Sequence, residues 1–122
     1  MKVPFCDLTR LTQEIAPAVI DDWHAQLWRA DFIEGESVVA LEQALAARLR
    51  APHVVAVANG TDALILGLRA LGVGPGDVVA IPALTFWATY EAVVAVGAQA
   101  ILIDTDSDGQ LDGDNLRAAY SV

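Results

Sequence analysis

The feature that most constrains the fold is an alternation, from residue 53 onward, between short apolar runs and segments with helical periodicity. Three runs rich in apolar and β-branched residues are typical of strands buried on both faces of a sheet: His53–Ala58, Val78–Ile81 and Ala100–Ile103. Between them, apolar residues recur every three or four positions. Short buried strands that alternate with helices predict an α/β fold with three parallel strands, flanking helices and right-handed crossovers.

The same periodicity predicts helices on either side of these strands. The predicted helices are residues 13–29, 37–50, 60–71, 86–96 and 115–120. The first tolerates Pro17 only if that residue falls in the first turn. Ser37 is the expected N-cap of the second helix, and Gly72 and Gly97 are expected to end the third and fourth.

Composition and charge exclude several classes of partner. The chain has 16 acidic residues against 7 basic ones, a net charge of −9, and nucleic acid or an anionic membrane would require a basic surface. The apolar stretch 78–103 is long enough to span a bilayer, but Pro82 and Gly97 interrupt it and acidic residues flank it, so no membrane span is expected. The single cysteine, Cys6, cannot form an internal disulfide, and no targeting signal opens the chain. We therefore expect a cytoplasmic protein.

A candidate phosphate site lies where the first predicted strand hands over to a helix. Gly60, Thr61 and Asp62 follow the strand directly, so backbone N–H groups, the helix dipole and the threonine hydroxyl would converge on one point. The alternative is that Asn59 or Thr61 only caps the helix.

A second candidate is the aromatic segment after the next strand. Phe86 is expected at the carboxyl edge of the sheet, where ligands of open α/β folds gather, and its ring could stack on a flat ligand. The alternative is that Phe86, Trp87 and Tyr90 are ordinary core and surface residues of an amphipathic helix.

The acidic segment Asp104–Asn115 resembles a calcium-binding EF-hand loop over most of its length. Asn115 replaces the bidentate glutamate of the last position, and a strand instead of a helix precedes the segment, so a solvated acidic loop is the alternative. His24 and His53 lack a second ligand at useful spacing, and no metal site is predicted from them.

Six motifs occur in the order found in the DegT/DnrJ/StrS family of pyridoxal-phosphate sugar aminotransferases, which the chain resembles over essentially its whole length. They are Val3–Leu8, Phe32–Gly35, Asn59–Leu64, Leu71–Asp77, Pro82–Thr89 and Ile103–Asp106.

The resemblance implies a partial large domain of a fold type I transferase that binds pyridoxal 5′-phosphate. Residues 1–35 would form an N-terminal helix and interface loop, and residues 36–122 an incomplete cofactor-binding domain. Gly60, Thr61 and Asp62 would hold the cofactor phosphate, and Phe86 would stack on the pyridine ring. In the family the first strand lies across the sheet from the next two, with later strands between them. A homodimer or other self-association is therefore expected.

The resemblance also implies a reaction that this chain does not perform alone. The complete enzymes transfer an amino group, typically from glutamate, to a keto-sugar nucleotide, and some relatives are dehydratases. Their Schiff-base lysine lies in a downstream motif, whereas the one lysine here is Lys2. We expect the N-terminal part of such an enzyme, with no catalytic residue of its own, whether it arises from a split gene or a truncated reading frame.

Two further points bear on that expectation. Arg29 and Ala30 stand where the family usually has Ser-Gly before Phe32–Gly35, in a loop that normally faces the partner subunit. The alternative functions are a non-catalytic module that binds phosphate or pyridoxal phosphate, and calcium binding by the Asp104–Asn115 loop.

Overall fold

The structure is a computed structural model that describes residues 3–120, and the chain divides into two compact units, Met1–Ala56 and Val57–Val122. The first unit contains two helices, α1 (Thr9–Arg29) and α2 (Glu36–Leu49). Neither helix has a buried residue. No helix among the described residues is long and apolar enough to cross a membrane.

Helix α1 begins earlier than predicted. Its first N–H, that of Thr9, donates to Asp7 Oδ1 at 2.9 Å, and hydrogen bonds from the Thr9 side chain and backbone lower the pKa of the Asp7 carboxyl. Because the helix begins at Thr9, Pro17 lies in its interior, and the condition that it fall in the first turn is not met. Pro17 has no N–H to donate to the preceding turn, so this turn lacks one helical hydrogen bond.

Helix α2 is capped differently from the prediction. Gly35 is the N-cap, and its carbonyl accepts the N–H groups of Val38 and Val39 at 3.0 and 3.4 Å. Ser37 therefore lies inside the first turn, and the prediction that it caps the helix is wrong. Its hydroxyl oxygen instead accepts a hydrogen bond from Gln26 Nε2 at 3.0 Å.

The second unit is a small α/β assembly built around two parallel strands. Its elements in chain order are α3 (Gly60–Ala70), β1 (Val78–Pro82), α4 (Trp87–Ala95), β2 (Gln99–Ile103) and α5 (Gly113–Tyr120). Strands β1 and β2 pair in parallel with Val78 opposite Gln99 and Pro82 opposite Ile103. The predictions of an α/β fold and of these two parallel strands are confirmed, and α4 lies between them in the chain as expected for a crossover.

The third predicted strand, His53–Ala58, is not a strand in the structure. A strand requires hydrogen bonds to a neighbouring strand, and the described residues provide none for this run. The backbone N–H of Ala56 donates instead to Glu42 Oε1 at 2.8 Å. The run is also largely exposed, with Val55 at 76% and Val57 at 38% of full exposure, so within the described residues its apolar pattern leads neither to strand pairing nor to burial.

The core of the second unit lies between the sheet and the helices that cover it. Ile81 of β1, Val93 of α4, Val96 and Ala98 are buried together. Ile65 and Leu68 of α3 pack against this cluster, and α3 also packs against α4. Helix α4, which connects β1 to β2, is therefore held in place by contacts with the sheet on one side and with α3 on another.

Gly97 should be the glycine of this unit that is least tolerant of substitution. It has a φ of +84° at the end of α4, and a Cβ there would lie 3.0 Å from Pro75 Cγ. Gly72 has a similar φ of +81°, but nothing lies within 4 Å of its added Cβ. Gly72→Ala should therefore lower the free energy of unfolding by about 1 kcal/mol from backbone strain alone, and Gly97→Ala by about 2–3 kcal/mol.

Urea denaturation of the two variants, compared with the unsubstituted chain, measures this difference. Equal losses of unfolding free energy for Gly72→Ala and Gly97→Ala would show that the Pro75 contact relaxes at no cost.

Candidate functional site

The turn before α3 is organised by Asn59. Its backbone is extended, and its side-chain Oδ1 accepts the N–H of Asp62 at 2.9 Å. The Asn59 Nδ2 donates in return to Asp62 Oδ2 at 3.0 Å, and the Asn59 carbonyl accepts the N–H of Ala63 at 3.1 Å. Asn59 is thus the N-cap of this helix, and Thr61 lies inside its first turn.

The capping leaves an unused set of donors at the start of α3. The N–H groups of the first turn of a helix have no partner within it; here the Asn59 side chain accepts that of Asp62, and the first regular helical bond runs from Ala63 N–H to the Asn59 carbonyl. Across residues 3–120, no hydrogen bond engages the backbone N–H of Gly60, the backbone N–H of Thr61 or the Thr61 hydroxyl. Two backbone donors and one hydroxyl at a helix N-terminus form a set suited to an oxyanion.

The space beside the Gly60 backbone is open. Its φ is not in the left-handed region, and an added Cβ would meet no atom within 4 Å. Neither backbone conformation nor a protein neighbour therefore requires a glycine at this position. Absence of a side chain leaves room for a group to approach the backbone, which fits a phosphate held by these N–H groups.

Phe86 is the N-cap of α4 and follows β1 by a short loop. Its side chain is 81% exposed, so it is not a core residue of the described structure. Next to it, the rings of Trp87 and Tyr90 are 5.0 Å apart at a tilt of 40°. Thr85 Oγ1 and Thr89 Oγ1 are 2.9 Å apart and hydrogen-bonded, which holds the turn that presents Phe86.

These aromatic residues line a cleft of about 390 Å³ at the end of the sheet. Its lining residues are Ile81, Pro82, Ala83, Thr85, Phe86, Trp87, Tyr90 and Leu102. An apolar lining with a free aromatic ring at its edge suits a flat ring better than a charged group. The sequence argument considered Trp87 and Tyr90 only as ordinary helix residues, and their spacing of three on α4 is the signal that they form a pair.

The four predicted site residues lie in one unit. Gly60, Thr61 and Asp62 form the first turn of α3, and Phe86 caps α4, the helix against which α3 packs. The structure thus gives each of them a defined position at a helix N-terminus. Lys2 lies outside the described residues.

Carboxylates of the acidic loop Asp104–Asn115 accept hydrogen bonds from backbone N–H groups of the same segment. Asp106 Oδ1 accepts the N–H groups of Asp108 and Gln110, both at 2.9 Å, and Asp112 Oδ1 accepts that of Asp114 at 2.7 Å. Strand β2 precedes the loop, not a helix. Within the described residues, no three His, Cys, Asp or Glu side chains are arranged to hold a metal ion. These contacts favour a loop stabilised by its own side chains over the calcium alternative.

The fold and the donor turn define the class of protein. Parallel strands that lead into helices, a phosphate-type turn at one helix start and an exposed ring at the N-cap of the helix packed against it are typical of a cofactor-binding α/β domain. The sequence pattern of the DegT/DnrJ/EryC1/StrS aminotransferase family matches residues 13–120. The chain belongs to this family.

Three similar proteins illustrate the relationship. The UDP-N-acetyl-3-dehydro-alpha-D-glucosamine 3-aminotransferase of Acidithiobacillus ferrooxidans is 41% identical over 104 residues, which cover 85% of this chain and 28% of that protein. A DegT DnrJ EryC1 StrS aminotransferase from Brucella abortus has a TM-score of 0.92 at 35% identity, covering 98% of this chain and 32% of that one. A putative sugar aminotransferase from Streptococcus pneumoniae, solved in its PLP form, has a TM-score of 0.84 at 32% identity, covering 98% and 29%.

The chain is much shorter than the proteins it matches. It spans about 28% of the length of curated relatives such as the Acidithiobacillus enzyme. The fold prediction of a partial α/β domain like that of the pyridoxal-phosphate aminotransferases is thereby confirmed, with two parallel strands in place of three.

Proposed function

We propose that this chain forms the phosphate-binding part of a pyridoxal-phosphate aminotransferase that acts on keto-sugar nucleotides in amino-sugar biosynthesis. The observation that carries the proposal is the set of free donors on Gly60 and Thr61, in a chain that matches the family over residues 13–120. The substrate class is supported by the names of relatives, among them sugar-nucleotide aminotransferases, and by one that takes its amino group from glutamate.

The proposed cofactor-binding residues are Gly60, Thr61, Asp62 and Phe86. The two free N–H groups and the Thr61 hydroxyl would bind the phosphate, because a helix N-terminus favours an anion through both its donors and its dipole. Phe86 would orient the cofactor ring through its exposed face. When bound, pyridoxal phosphate supplies the electron sink for amino transfer, whereas the chain's own residues hold and orient it.

The organisation of the whole protein is part of the same proposal. Residues 1–35 would serve as the N-terminal helix and interface loop, and residues 36–122 as the first part of the cofactor-binding domain. A homodimer in the cytoplasm is the assembly and location we propose. The large apolar side chains exposed on α1 support an interface there.

A non-catalytic binding module is the second candidate. The observation that favours it is that the 122 residues contain one lysine, Lys2. Such a module would bind pyridoxal phosphate through the same turn, and borohydride would not fix the cofactor to the chain. A borohydride-stable adduct on a lysine of the full-length protein would favour the enzyme.

Thr61→Val should weaken the affinity for pyridoxal phosphate about tenfold or more, because it removes a hydroxyl that donates to a charged group while preserving the volume of the side chain. Titration of the full-length protein, followed by the absorbance of the bound cofactor, measures the dissociation constant. Thr12→Val on α1 is the matched control, since Thr12 is an exposed threonine of the other unit. Equal losses in both variants would contradict the phosphate site.

A further inference from the structure

The Asp62 side chain poses an electrostatic problem at the proposed phosphate site. A carboxylate in the first turn of α3 interacts favourably with the positive end of the helix dipole, but its charge would repel a phosphate bound at the same turn. In the structure one of its oxygens, Oδ2, accepts a hydrogen bond from Asn59 Nδ2 at 3.0 Å. The carboxylate is therefore tied to the residue that precedes the turn.

The backbone of Asp62 is engaged by the same residue. Its N–H donates to Asn59 Oδ1 at 2.9 Å, and the next N–H, that of Ala63, donates to the Asn59 carbonyl at 3.1 Å. The Asn59 side chain thus satisfies one of the N–H groups that a helix start leaves open, that of Asp62, while its carbonyl accepts the first intrahelical hydrogen bond. Within this first turn, the N–H groups of Gly60 and Thr61 stay open.

We propose that Asn59 is a positioning residue for the cofactor phosphate, and that Asp62 acts through its reciprocal pair with Asn59 and donates nothing to the phosphate. The pair fixes the start of α3 so that the Gly60 and Thr61 donors face the same open space, and it holds the Asp62 carboxylate on Asn59. This inference rests on the proposed function and refines the part that Asp62 plays in it.

Two readings of the turn make opposite predictions for Asn59→Ala. If the pair positions the donors, its loss should weaken the binding of pyridoxal phosphate, by about 5- to 30-fold for a lost N-cap side chain. If Asp62 N–H is itself a phosphate donor, removing its competitor Asn59 Oδ1 should leave the affinity unchanged or increase it. The direction of the change therefore decides between them.

The test is a titration of the full-length protein with two probes, pyridoxal 5′-phosphate and pyridoxal. Pyridoxal lacks the phosphate, so a defect in the phosphate turn should change the affinity for pyridoxal phosphate and leave that for pyridoxal nearly unchanged. A merely structural defect would weaken both. Asn59→Ser should restore most of the affinity, because a serine hydroxyl at the N-cap also accepts the N–H of Asp62.

Asn59→Ser and Asn59→Asp keep the test decisive if Asn59→Ala fails to fold. Asn59→Asp retains an acceptor for the Asp62 N–H but places a second carboxylate against Asp62, so it should weaken phosphate binding more than Asn59→Ser. Asn115→Ala is the matched control, because Asn115 also donates from Nδ2 to an aspartate, Asp112, at 3.3 Å near the start of α5. It should leave the ratio of the two affinities unchanged.

The outcomes separate this inference from the proposed function. An unsubstituted protein that does not bind pyridoxal phosphate overturns both. If the unsubstituted protein binds it, the positioning role alone is overturned either by Asn59→Ala binding as tightly or more tightly, or by Asn59→Ala weakening the binding of both probes alike.

Discussion

The 122-residue polypeptide, supplied with pyridoxal phosphate, glutamate and a keto-sugar nucleotide, is expected to form no amino sugar above the protein-free blank. Amino transfer on this cofactor requires a lysine amine that holds it covalently and a base that moves a proton beside it. The one lysine of the chain, Lys2, lies in none of the six motifs shared with the family. The phosphate turn can persist without such a lysine, but the reaction cannot.

Lys2→Ala is the control for that experiment. If the unsubstituted polypeptide shows turnover and Lys2→Ala abolishes it, the argument fails, because Lys2 would then supply the missing amine. Absence of turnover in both forms, together with phosphate affinity that Thr61→Val weakens, is the expected pair of results. The full-length protein under identical conditions shows that the substrates and the cofactor are competent.

The parts of the fold that could be predicted from sequence are those fixed by local pattern. Strands β1 and β2 follow from apolar runs bounded by turns, and their residues include the buried Ile81 and Ile103. The end of α4 follows from Gly97, whose positive φ is the conformation that ends helices most often. In these places the local preference and the tertiary contacts agree.

The errors arise where a distant group decides the local structure. His53–Ala58 has the composition of a strand, yet pairing depends on a neighbouring strand that no property of the run itself supplies. The periodicity starts α1 at about residue 13, but the helix begins at Thr9, whose N–H donates to the Asp7 side chain, and Pro17 therefore lies inside it. Side-chain hydrogen bonds of this kind are weakly encoded, because many polar residues could make them.

The candidate site shows the same division. A turn of Gly60 and Thr61 after an apolar run was enough to predict a group of donors at the start of α3. Which N–H groups stay free was not predictable, because it depends on the rotamer in which Asn59 reaches the N–H of Asp62. The exposure of Phe86 likewise depends on how α4 packs against α3, which the helical periodicity alone does not determine.

Self-association of the isolated polypeptide is the remaining expectation, and α1 is the surface that best explains it. Trp23 and Leu27 are 62% and 61% exposed and lie one turn apart on the same side of the helix. Together with Phe32, which is 68% exposed, they line an apolar cleft of about 250 Å³. Apolar surface of this kind in contact with water favours association, because burial is worth about 25 cal/mol per Å².

Leu27→Glu should therefore shift the polypeptide toward the monomer in sedimentation velocity, since it places a charge in the middle of this cleft. Gln13→Glu is the matched control, because it adds the same charge to α1 at an exposed polar position and removes no apolar surface.

The two edges of the β1–β2 sheet offer a second route to association, since within the described residues each strand is paired on one side. A clean monomer of the unsubstituted chain would contradict the expectation, and an assembly that Leu27→Glu leaves intact would assign the association to the sheet edges instead of α1.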